Sequence, residues 1–572
     1  MAHFMYMVLE GLARWSDAPL IRPFTGTADT GEYSWGLITF GEFRRDVERT
    51  ARYYRGVLGG VGGEGLKVGD VVGLWLTGES VSDLVHLYAL SLAGYTPQLF
   101  SLKFSLPGQA VVRDLLKECD ARALVYDTHF REIVESGIDD VPKFPLVDIP
   151  TLSESESEDV DPLIALEDVK EEDVAIIFHT SGTTGGRPKP VPQTHAWCVA
   201  HAKLCWSGAW QGEYESQDVV NNIGSFAHMG ASTYIYKSAV TGAAFVQTSK
   251  AAIGADEFLA MVKQCGLNRL LQYATWLSAL IDVARKNEEV LKALQGMRQV
   301  MYTGLAMNPE DEAWAYAHGI PLTNMYGTTE TGESLPPCQK RKQTLTKFLL
   351  IAQCMVSVLG SKENYLRPIP ELGLVLVPAL DDKSSGSDSS SEKQKQLYDL
   401  FLPLSARNCP YPRVRNRPDG HITGDLFEEV KPGYYVFRGR SDDWIKTGPT
   451  RAAFCDTKAI EDNVLKTCSD LVRNCVAVGH LKPRVVLLIE SSSASPGEVN
   501  ADEAQKLKEE VLRRTAEFNS RLMEHERITE GSSILVVPAG SLPRTSEKGN
   551  IRRKAAHEHF AQQLAAVWGE AC

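Results

Sequence analysis

The feature that most constrains the fold is a loop rich in glycine and hydroxyl residues that follows a short apolar run. Residues 175–178 read AIIF, a pattern typical of a buried strand, and residues 179–189 then read HTSGTTGGRPK. Glycines let backbone N–H groups approach an anion closely, hydroxyl groups add donors, and Lys189 adds a positive charge. The segment predicts a phosphate-binding loop, with a spacing that differs from the P-loop motif of nucleotide-binding proteins. A flexible linker, the alternative, would need neither the strand nor the lysine.

Length and composition predict a globular protein of two or three domains. A single hydrophobic core does not extend through 572 residues. The formal net charge of −13 argues against nucleic acid or an anionic membrane as a partner. The 11 cysteines include no C-x-x-C pair, which favours reduced thiols over disulfides or zinc. Residues 1–14 lack a signal-peptide pattern, and the longest apolar stretch, 348–359, is too short to span a bilayer, so we expect a cytoplasmic protein.

Alternating strand and helix signals through Thr303 predict layered α/β structure. Thr39 is the expected N-cap of one helix, and residues 84–93 are predicted to form another. Two segments depart from this pattern. Residues 381–395, rich in Ser, Asp and Lys, are predicted to be a disordered loop. Residues 338–358 are basic and then apolar, and they match neither neighbour; they are either a real insertion or a translated intron, and we prefer the second interpretation.

The loop at 179–189 resembles the signature of the adenylate-forming enzymes, which include acyl- and aryl-CoA synthetases, peptide-synthetase adenylation domains and luciferase. Four further segments resemble motifs of that family in the same order along the chain. They are NMYGTTE at 324–330, TGDL at 423–426, GRSDDWIK at 439–446 and LPRTSEKGN at 542–550. Each short segment alone also fits a polar turn. The resemblance to the family therefore depends on the number of segments and on their order.

The resemblance implies a role for each motif residue. The loop residues expected to hold phosphate are Thr180, Ser181, Gly182, Thr183, Thr184, Gly185 and Lys189. Asn324 and Met325 begin the next motif, in which Tyr326 is expected to stack on adenine. Thr329 is expected to contact the α-phosphate and Glu330 to help hold Mg²⁺, a hard cation that prefers carboxylate oxygen.

The third and fourth motifs imply a ribose contact and a hinge. Asp425 is expected to accept hydrogen bonds from both ribose hydroxyls, since an ionised carboxylate suits a vicinal diol. Gly439 and Arg440 begin the fourth motif, and Arg440 is expected to contact ribose or phosphate. Asp442 occupies the pivot position between the two domains. The surrounding residues 425–430 and 435–438, together with 455–462, resemble a fungal branch of stand-alone or reductase-linked adenylation domains.

The last motif departs from the family pattern. The adenylation lysine usually follows a glycine directly, whereas here Asn550 follows Gly549 and Lys548 precedes it. A long flexible side chain tolerates such a shift, so Lys548 is the expected adenylation lysine. A solvated basic tail is the alternative, and the further candidates are Arg552, Arg553 and Lys554.

The acid-binding residues are less clearly marked. His228 falls near the family position beside the substrate carboxylate, although an isolated histidine is as readily structural. Gln272, Tyr273 and Trp276 are expected to line the acyl pocket, with residues 303–306 as its far wall. No aspartate of the kind that binds an α-amine is found near His228, which favours a non-amino carboxylic acid.

The resemblance therefore implies an α/β fold with a large N-terminal domain of layered sheets that includes a small barrel-like part, and a small mobile α+β C-terminal lid. The expected bounds are 1–438 for the adenylation domain, 439–446 for the hinge and 447–572 for the lid. The implied activity is an acid–thiol ligase in secondary metabolism that uses ATP and Mg²⁺ to form an acyl adenylate. CoA, or the phosphopantetheine of a separate carrier protein, would then take the acyl group. The alternative is a catalytically weak nucleotide-binding protein of the same fold.

Overall fold

The structure is a computed structural model of the chain. It describes residues 2–29, 31–60, 65–105, 109–152, 166–179, 188–205, 216–250, 252–303, 307, 309–325, 327–328, 332–333, 355–357, 366–368, 374–379, 397–406, 409–441, 444–448, 453–491, 500–544 and 551–569.

The first half of the chain alternates strands and helices. Its first elements are α1 (Phe4–Arg14), β1 (Pro19–Arg22), β2 (Phe24–Thr27), β3 (Tyr33–Trp35), β4 (Ile38–Thr39), α2 (Phe40–Gly59), β5 (Val71–Trp75), α3 (Val81–Leu92), β6 (Thr96–Phe100), α4 (Gln109–Glu118), β7 (Ala123–Tyr126), α5 (Arg131–Gly137), β8 (Lys143–Pro145), β9 (Val174–His179) and β10 (Pro190–Thr194). They are followed by α6 (His195–Cys205), β11 (Val219–Asn222), α7 (Met229–Ser232), α8 (Tyr234–Thr241), β12 (Ala244–Gln247), α9 (Ala255–Ala260), β13 (Arg269–Tyr273), α10 (Ala274–Ala284), α11 (Glu288–Gln295), β14 (Gln299–Thr303), α12 (Pro309–Ala317) and β15 (Leu322–Met325).

The second half begins with strands and ends in a mixed α+β region. The strands are β16 (Gly327–Thr328), β17 (Gly332–Glu333), β18 (Met355–Ser357), β19 (Leu366–Pro368), β20 (Val375–Pro378), β21 (Leu397–Pro403), β22 (Gly420–Lys431) and β23 (Tyr434–Arg440). The mixed region contains β24 (Trp444–Thr447), β25 (Ala453–Asp456), α13 (Thr457–Thr467), β26 (Val472–Val478), β27 (Val486–Ser491), α14 (Ala501–Ser520), β28 (Ile534–Val537), α15 (Arg553–His559) and α16 (Ala561–Trp568).

Two mainly parallel sheets form the layered part. The first has seven strands in the order β15-β14-β13-β11-β12-β1-β4, and the second has six in the order β10-β9-β6-β5-β7-β8. Alternate residues of each strand enter different cores: Leu74 and Leu271 belong to one core cluster, while Trp75 and Leu270 belong to two others. Both faces of each sheet are therefore buried, as is usual for parallel sheets, and the shared cluster lies between the two sheets.

The remaining sheets are smaller. The third sheet has six antiparallel strands in the order β18-β19-β23-β22-β21-β20. Its edge strand β18 contains residues 355–357, which come from the segment that resembled neither neighbour. The C-terminal sheet, β26-β27-β28, carries separate apolar clusters on its two faces.

Local signals in the sequence agree with several helix boundaries. Thr39 caps α2 in a capping box, in which the Glu42 backbone N–H donates to the Thr39 hydroxyl and the Glu42 carboxylate accepts from the Thr39 backbone. The helix predicted at 84–93 is α3, which begins three residues earlier. His86 on α3 is buried and 2.8 Å from the hydroxyl of Tyr54, which fits a structural role. The predicted disordered loop at 381–395 lies outside the described residues.

Two histidines cap the N-terminus of α1. Nδ1 of His3 accepts from the backbone N–H of Met5 at 3.2 Å, and Nδ1 of His195 accepts from that of Phe4 at 3.4 Å. The two imidazole rings lie 4.1 Å apart and are buried. Both rings must be neutral to accept these bonds, and burial lowers the pKa of His195 to about 4.

We expect the free energy of unfolding to fall as the solution is acidified from neutral pH. Burial lowers the pKa of five histidines: His3, His86, His179, His195 and His201. Burial raises the pKa of three carboxyl groups to between about 6 and 7: Asp83, Asp399 and Asp456. Near pH 5 the histidines bind protons only in the unfolded chain and the carboxyls only in the folded chain. Because more histidines than carboxyls are shifted by burial, the unfolded chain binds the larger number of protons, and the free energy of unfolding should fall by about 1–3 kcal/mol per pH unit.

Urea unfolding at pH values from 6.5 to 5 would measure this slope. The variant His195→Asn keeps an acceptor for α1 and removes one titrating group, so its slope should be lower by about 1.4 kcal/mol per pH unit. His129→Asn, at an exposed position, is the matched control and should leave the slope unchanged. A stability that is flat or rises between pH 6 and 5 would contradict the prediction.

Candidate active site

The glycine-rich loop begins and ends in a strand hairpin. His179 ends β9 and pairs with Pro190, the first residue of β10, so the two ends of the loop are held together. Lys189 is exposed directly before β10, and Thr180, Ser181, Gly182, Thr183, Thr184 and Gly185 lie outside the described residues. The strand predicted before the loop is therefore confirmed.

His179 anchors the start of this loop. Its Nδ1 donates to the carbonyl of Leu99 at 2.8 Å, so Nε2 accepts from the amide of Gln98 at 3.2 Å. The ring stacks on Phe100 with centroids 4.8 Å apart. Burial lowers the pKa of His179 to about 4, which keeps the ring neutral as both bonds require. His179 therefore holds the end of β9 and has no features of a phosphate ligand.

Three neighbouring strands of the first sheet end side by side. Tyr273 on β13 pairs with Thr303 on β14, and Thr303 pairs with Met325 on β15. Asn324 pairs with Tyr302 one position earlier. Ligands of open parallel sheets bind outside the carboxyl ends of the strands. The motif that begins with Asn324 and Met325 therefore lies at the edge where such a site is expected, and Tyr326, Thr329 and Glu330 follow outside the described residues.

His228 lies in the loop that follows β11 and is exposed there. Its backbone is the N-cap of α7, and its Nδ1 accepts from the backbone N–H of Gly230 at 3.1 Å. A Cβ atom added at Gly224, in the same loop, would lie 3.9 Å from the hydroxyl of Tyr273. The edge of the Tyr273 ring meets Trp276 with centroids 5.2 Å apart. The loop of His228 and two of the expected acyl-pocket residues are therefore neighbours.

A second loop supports the His228 loop. Gly78 has a φ of +79°, and its carbonyl accepts from the backbone N–H of Phe226 at 2.8 Å. A Cβ atom at Gly78 would lie 1.7 Å from Oγ of Ser225, so only glycine fits. The buried carboxylate of Asp83 accepts from the Gly78 N–H at 2.8 Å, and burial raises its pKa to about 7. The position of the His228 loop thus depends on a buried acid that the sequence pattern did not identify.

Asp425 and Arg440 face each other on adjacent strands of the third sheet. They are a register pair of β22 and β23, and Nη1 of Arg440 lies 3.2 Å from Oδ1 of Asp425. Asp425 is 6% exposed and Arg440 is 43% exposed, so the pair combines a buried acceptor with a base that reaches solvent. Gly439 directly precedes Arg440 in β23, with a φ of +91°. Pairing of β22 with β23 therefore brings these three candidate residues together.

A second buried carboxylate lies behind Asp425. Oδ1 of Asp399, on β21, accepts from the Gly424 N–H at 3.2 Å and from the Thr423 hydroxyl at 3.4 Å. The Thr423 hydroxyl in turn accepts from the Asp425 N–H at 3.2 Å. Burial, together with the charge of Asp425, raises the pKa of Asp399 to about 6. Asp399 belongs to none of the five motifs, although its place in the otherwise uncharged segment 397–403 (LYDLFLP) could have identified it.

The two ends of the last motif are held together, and Arg544 at the first end is attached to the C-terminal sheet. Arg544 and Ile551 form an antiparallel bridge, and the Arg552 N–H donates to the carbonyl of Pro543 at 2.8 Å. Buried Glu490 lies 3.2 Å from Nη2 of Arg544. Lys548 is between these anchors, outside the described residues.

The alternatives to Lys548 differ in their surroundings. Arg553 forms an ion pair with Glu461, and its Nη1 donates to the carbonyl of Ala477 at 2.6 Å, which favours a structural role. Lys554 is exposed on α15.

The hinge motif spans the junction of two strands. Gly439 and Arg440 belong to β23, and residues 444–446 belong to β24. The pivot candidate Asp442 lies between them, outside the described residues. The expected hinge thus overlaps the ends of both strands.

Metal and membrane features were sought in the same part of the chain. The described residues contain no group of three or more His, Cys, Asp or Glu side chains that could hold a metal ion. Glu330 lies outside the described residues. No described helix has both the length and the apolar character needed to cross a membrane.

Two family profiles match the chain. The AMP-binding enzyme profile matches residues 17–368, and the profile of the AMP-binding enzyme C-terminal domain matches residues 455–571. The chain therefore belongs to the AMP-binding enzyme family, and through it to the adenylate-forming superfamily.

Among curated proteins, the chain is similar to the AMP-binding domain-containing enzyme iboA of Amanita muscaria (strain Koide BX008). The two are 34% identical over 518 residues, covering 89% of this chain and 92% of iboA. It is also similar to the adenylate-forming reductase Nps11 of Serpula lacrymans var. lacrymans (strain S7.9), at 23% identity over 92% of this chain. The match spans only 46% of that reductase.

The fold matches solved adenylate-forming structures. ATP-bound MatB from Rhodopseudomonas palustris superimposes with a TM-score of 0.65 at 17% identity, covering 96% of this chain and 99% of MatB. The fold is accordingly that of a large N-terminal domain of layered α/β sheets and a small C-terminal domain, as the sequence predicted.

Proposed function

We propose that this protein activates a carboxylic acid with ATP and then transfers the acyl group to a thiol. In the first step a carboxylate oxygen attacks the α-phosphorus, the bond to the β-phosphate oxygen breaks, and pyrophosphate leaves. In the second step a thiolate attacks the acyl carbon, and AMP leaves with the bonding electrons. Catalysis then consists mainly of positioning and of charge stabilisation.

Each candidate residue would bind a different part of the nucleotide or of the acid. Thr180 to Gly185, with Lys189, would hold the phosphates, and Asp425 would accept the ribose hydroxyls, with Arg440 beside it. Tyr326 would stack on adenine and Thr329 would contact the α-phosphate. Magnesium, held with the help of Glu330, would neutralise phosphate charge. His228 would lie beside the substrate carboxylate, where its exposed position leaves room for a ligand.

The two steps would use two orientations of the C-terminal domain. We propose 1–438 and 447–572 as the domains and 439–446 as the hinge, with Asp442 as its pivot. Rotation would remove Lys548 from the site after adenylation and admit the thiol, which is a conformational step of a kind that often limits turnover. The acceptor would be free CoA or a phosphopantetheine arm on a separate carrier protein.

The observation that carries the proposal is the buried Asp425 paired with Arg440, within a chain whose two family profiles together cover most of its length. The proposed role in secondary metabolism rests on the resemblance of residues 425–430, 435–438 and 455–462 to a fungal branch of adenylation domains, and similarity to a fungal adenylate-forming reductase agrees with that branch. Similarity to ATP-bound MatB supports ATP as the nucleotide. The acidic net charge is consistent with a cytoplasmic enzyme that binds neither nucleic acid nor membrane.

The test is pyrophosphate release by the purified protein with ATP, Mg²⁺ and a panel of aryl, aliphatic and polycarboxylic acids, with and without CoA. Release that depends on one acid would support adenylation and identify the acid class. A further increase with CoA would favour a CoA ligase. ATP binding without release for any acid would favour the weak nucleotide-binding alternative, to which the displaced Lys548 and the 338–358 segment point.

The same assay would test the 338–358 segment. Its described residues, 355–357, form only the edge strand β18, so their removal leaves β19 paired with β23. Activity that appears or increases on deletion of 338–358 would support the translated-intron interpretation. Loss of a previously measurable activity would support a real insertion.

Asp425→Ala is expected to weaken ATP binding by about 1.5–3 kcal/mol, because hydrogen bonds to a buried charged acceptor are lost. AMP shares the ribose, so its affinity should fall by the same factor. Calorimetric titration of both nucleotides would measure the change, and the melting temperature would control for folding. Unchanged affinity for ATP would remove Asp425 from the ribose site.

A further inference from the structure

We propose that Asp399 is a positioning residue that holds the Thr423–Gly424 segment of β22 and thereby directs Asp425 at the ribose of the nucleotide. The proposal rests on the proposed function, since it takes Asp425 as the ribose acceptor. It adds a second carboxylate to the site, on a different strand from the motif that carries Asp425.

The connection is a short chain of hydrogen bonds. Oδ1 of Asp399 accepts from two donors, the Gly424 N–H at 3.2 Å and the Thr423 hydroxyl at 3.4 Å. The same hydroxyl accepts from the Asp425 N–H at 3.2 Å. Asp399 and Asp425 are both buried, so neither bond is readily replaced by water. The backbone of Asp425 is therefore tied to Asp399 through one side chain.

Strand β22 has an irregular backbone beside Asp425. Gly424 has a φ of +73°, and a Cβ atom there would lie 3.3 Å from Oγ of Ser441 and 3.4 Å from Nη2 of Arg440. The ladder between β22 and β23 also changes register between Asp425 and Phe427, which interrupts regular pairing just beyond the acid. Because the ladder is irregular here, the bonds to Asp399 hold the backbone at Asp425, and Arg440 contacts the Asp425 carboxylate.

Two buried carboxylates so close together oppose each other electrically. Burial of a second negative charge beside Asp425 is unfavourable. An acid at position 399 therefore destabilises the fold unless its bonds to the Thr423–Gly424 segment offset this effect. Preorganisation of the ribose acceptor gives a reason for such an acid, because a binding group must be held within a fraction of an ångström.

The ribose hydroxyls themselves provide the readout. Affinities for ATP and for 2′,3′-dideoxy-ATP would be measured by calorimetry with Mg²⁺ and without any acid. Wild type should bind ATP at least about 10-fold more tightly, because only ATP offers the hydroxyls to a charged acceptor. Asp399→Ala should reduce this ratio by about 10-fold while affinity for the dideoxy nucleotide stays nearly constant. A general loss of structure would instead lower the affinity for both nucleotides by the same factor.

Conservative variants separate positioning from charge. Asp399→Asn keeps one oxygen that can accept from both donors, so it should restore the wild-type ratio. Thr423→Val removes the linking hydroxyl and should act like Asp399→Ala, whereas Thr423→Ser should act like wild type.

Glu429→Ala is the matched control at the far end of the same hairpin. Its carboxylate also accepts from a positive-φ glycine, Gly433, at 2.8 Å, and from a hydroxyl, that of Tyr435, at 3.3 Å. The substitution removes bonds to a glycine N–H and to a hydroxyl, as Asp399→Ala does, but at a distance from Asp425. The ratio of ATP affinity to dideoxy-ATP affinity should therefore stay at the wild-type value.

The outcomes are distinguishable. If the wild-type protein prefers ATP to the dideoxy nucleotide and Asp399→Ala shows the same preference, this inference alone is overturned. A wild-type protein that does not discriminate overturns the assignment of Asp425 and this inference with it. A wild-type protein that binds no ATP overturns the proposed function as well.

Discussion

Lys548→Ala is expected to reduce acid-dependent pyrophosphate release by about 10²–10³-fold or more, while thioester formation from a supplied acyl adenylate stays largely intact. The lysine would neutralise charge on phosphate and carboxylate as they react, a role that ends once pyrophosphate has left. The segment that bears Lys548 is held at both ends, by the Arg544–Ile551 bridge and by the Arg552 bond to Pro543. A change within it should therefore alter the charge without loosening the C-terminal sheet.

Two assays on one protein preparation would test this. Pyrophosphate release reports the first step, and CoA consumption with a synthetic acyl adenylate reports the second. Lys554→Ala removes the same charge from an exposed position six residues further on and is the matched comparison. If adenylation survives in Lys548→Ala and is lost in Lys554→Ala, the role belongs to Lys554. If both variants adenylate, neither lysine is the adenylation lysine.

Asp218→Ala is expected to lower the free energy of unfolding by about 3–5 kcal/mol, because it removes the carboxylate from a buried ion-pair network. Oδ1 of Asp218 lies 2.9 Å from Nε of Arg269 and 2.6 Å from Nη1 of Arg298. The Arg269 side chain is only 4% exposed, so water cannot replace the lost partner. The network joins the amino ends of β11, β13 and β14, opposite the edge that carries the candidate site.

Urea unfolding would measure the loss, and ATP affinity of the folded variant should be unchanged. Asp419→Ala is the control, since Arg417 binds Asp419 through two nitrogens at 3.0 and 3.1 Å with side chains 45% and 55% exposed. That exposed pair should contribute about 1 kcal/mol or less. A loss of similar size in both variants would contradict the importance of burial at Asp218.

Local sequence was sufficient to predict several elements of the fold. The apolar run before the glycine-rich loop is β9, and Thr39 caps α2 through Glu42. The family resemblance predicted the layered sheets and the small C-terminal domain, and family membership was confirmed. These features depend on residues that are close in sequence or on short motifs, so no knowledge of distant contacts was needed to predict them.

The supporting residues of the candidate site could not be predicted in this way. Asp399 lies 26 residues before Asp425 and reaches it only because β21 pairs with β22. Asp83 supports the His228 loop across more than 140 residues of chain through Gly78. Asp399 belongs to no recognisable motif, and Asp83 completes the capping box of α3 with Ser80, a motif that predicts a helix start and not a bond to the loop at Gly78.

The sequence alone therefore determined the family, and it contains the residue types on which the proposed chemistry depends. Glycine and hydroxyl residues in one loop, with an acid and a base in later motifs, specify groups suited to phosphate and ribose wherever the chain folds. The tertiary structure decided which groups meet. Pairing of β22 with β23 joins Asp425 to Arg440, and pairing of β21 with β22 adds Asp399. Those contacts join strands through sheet register, which is a property of the packed chain and not of any one segment.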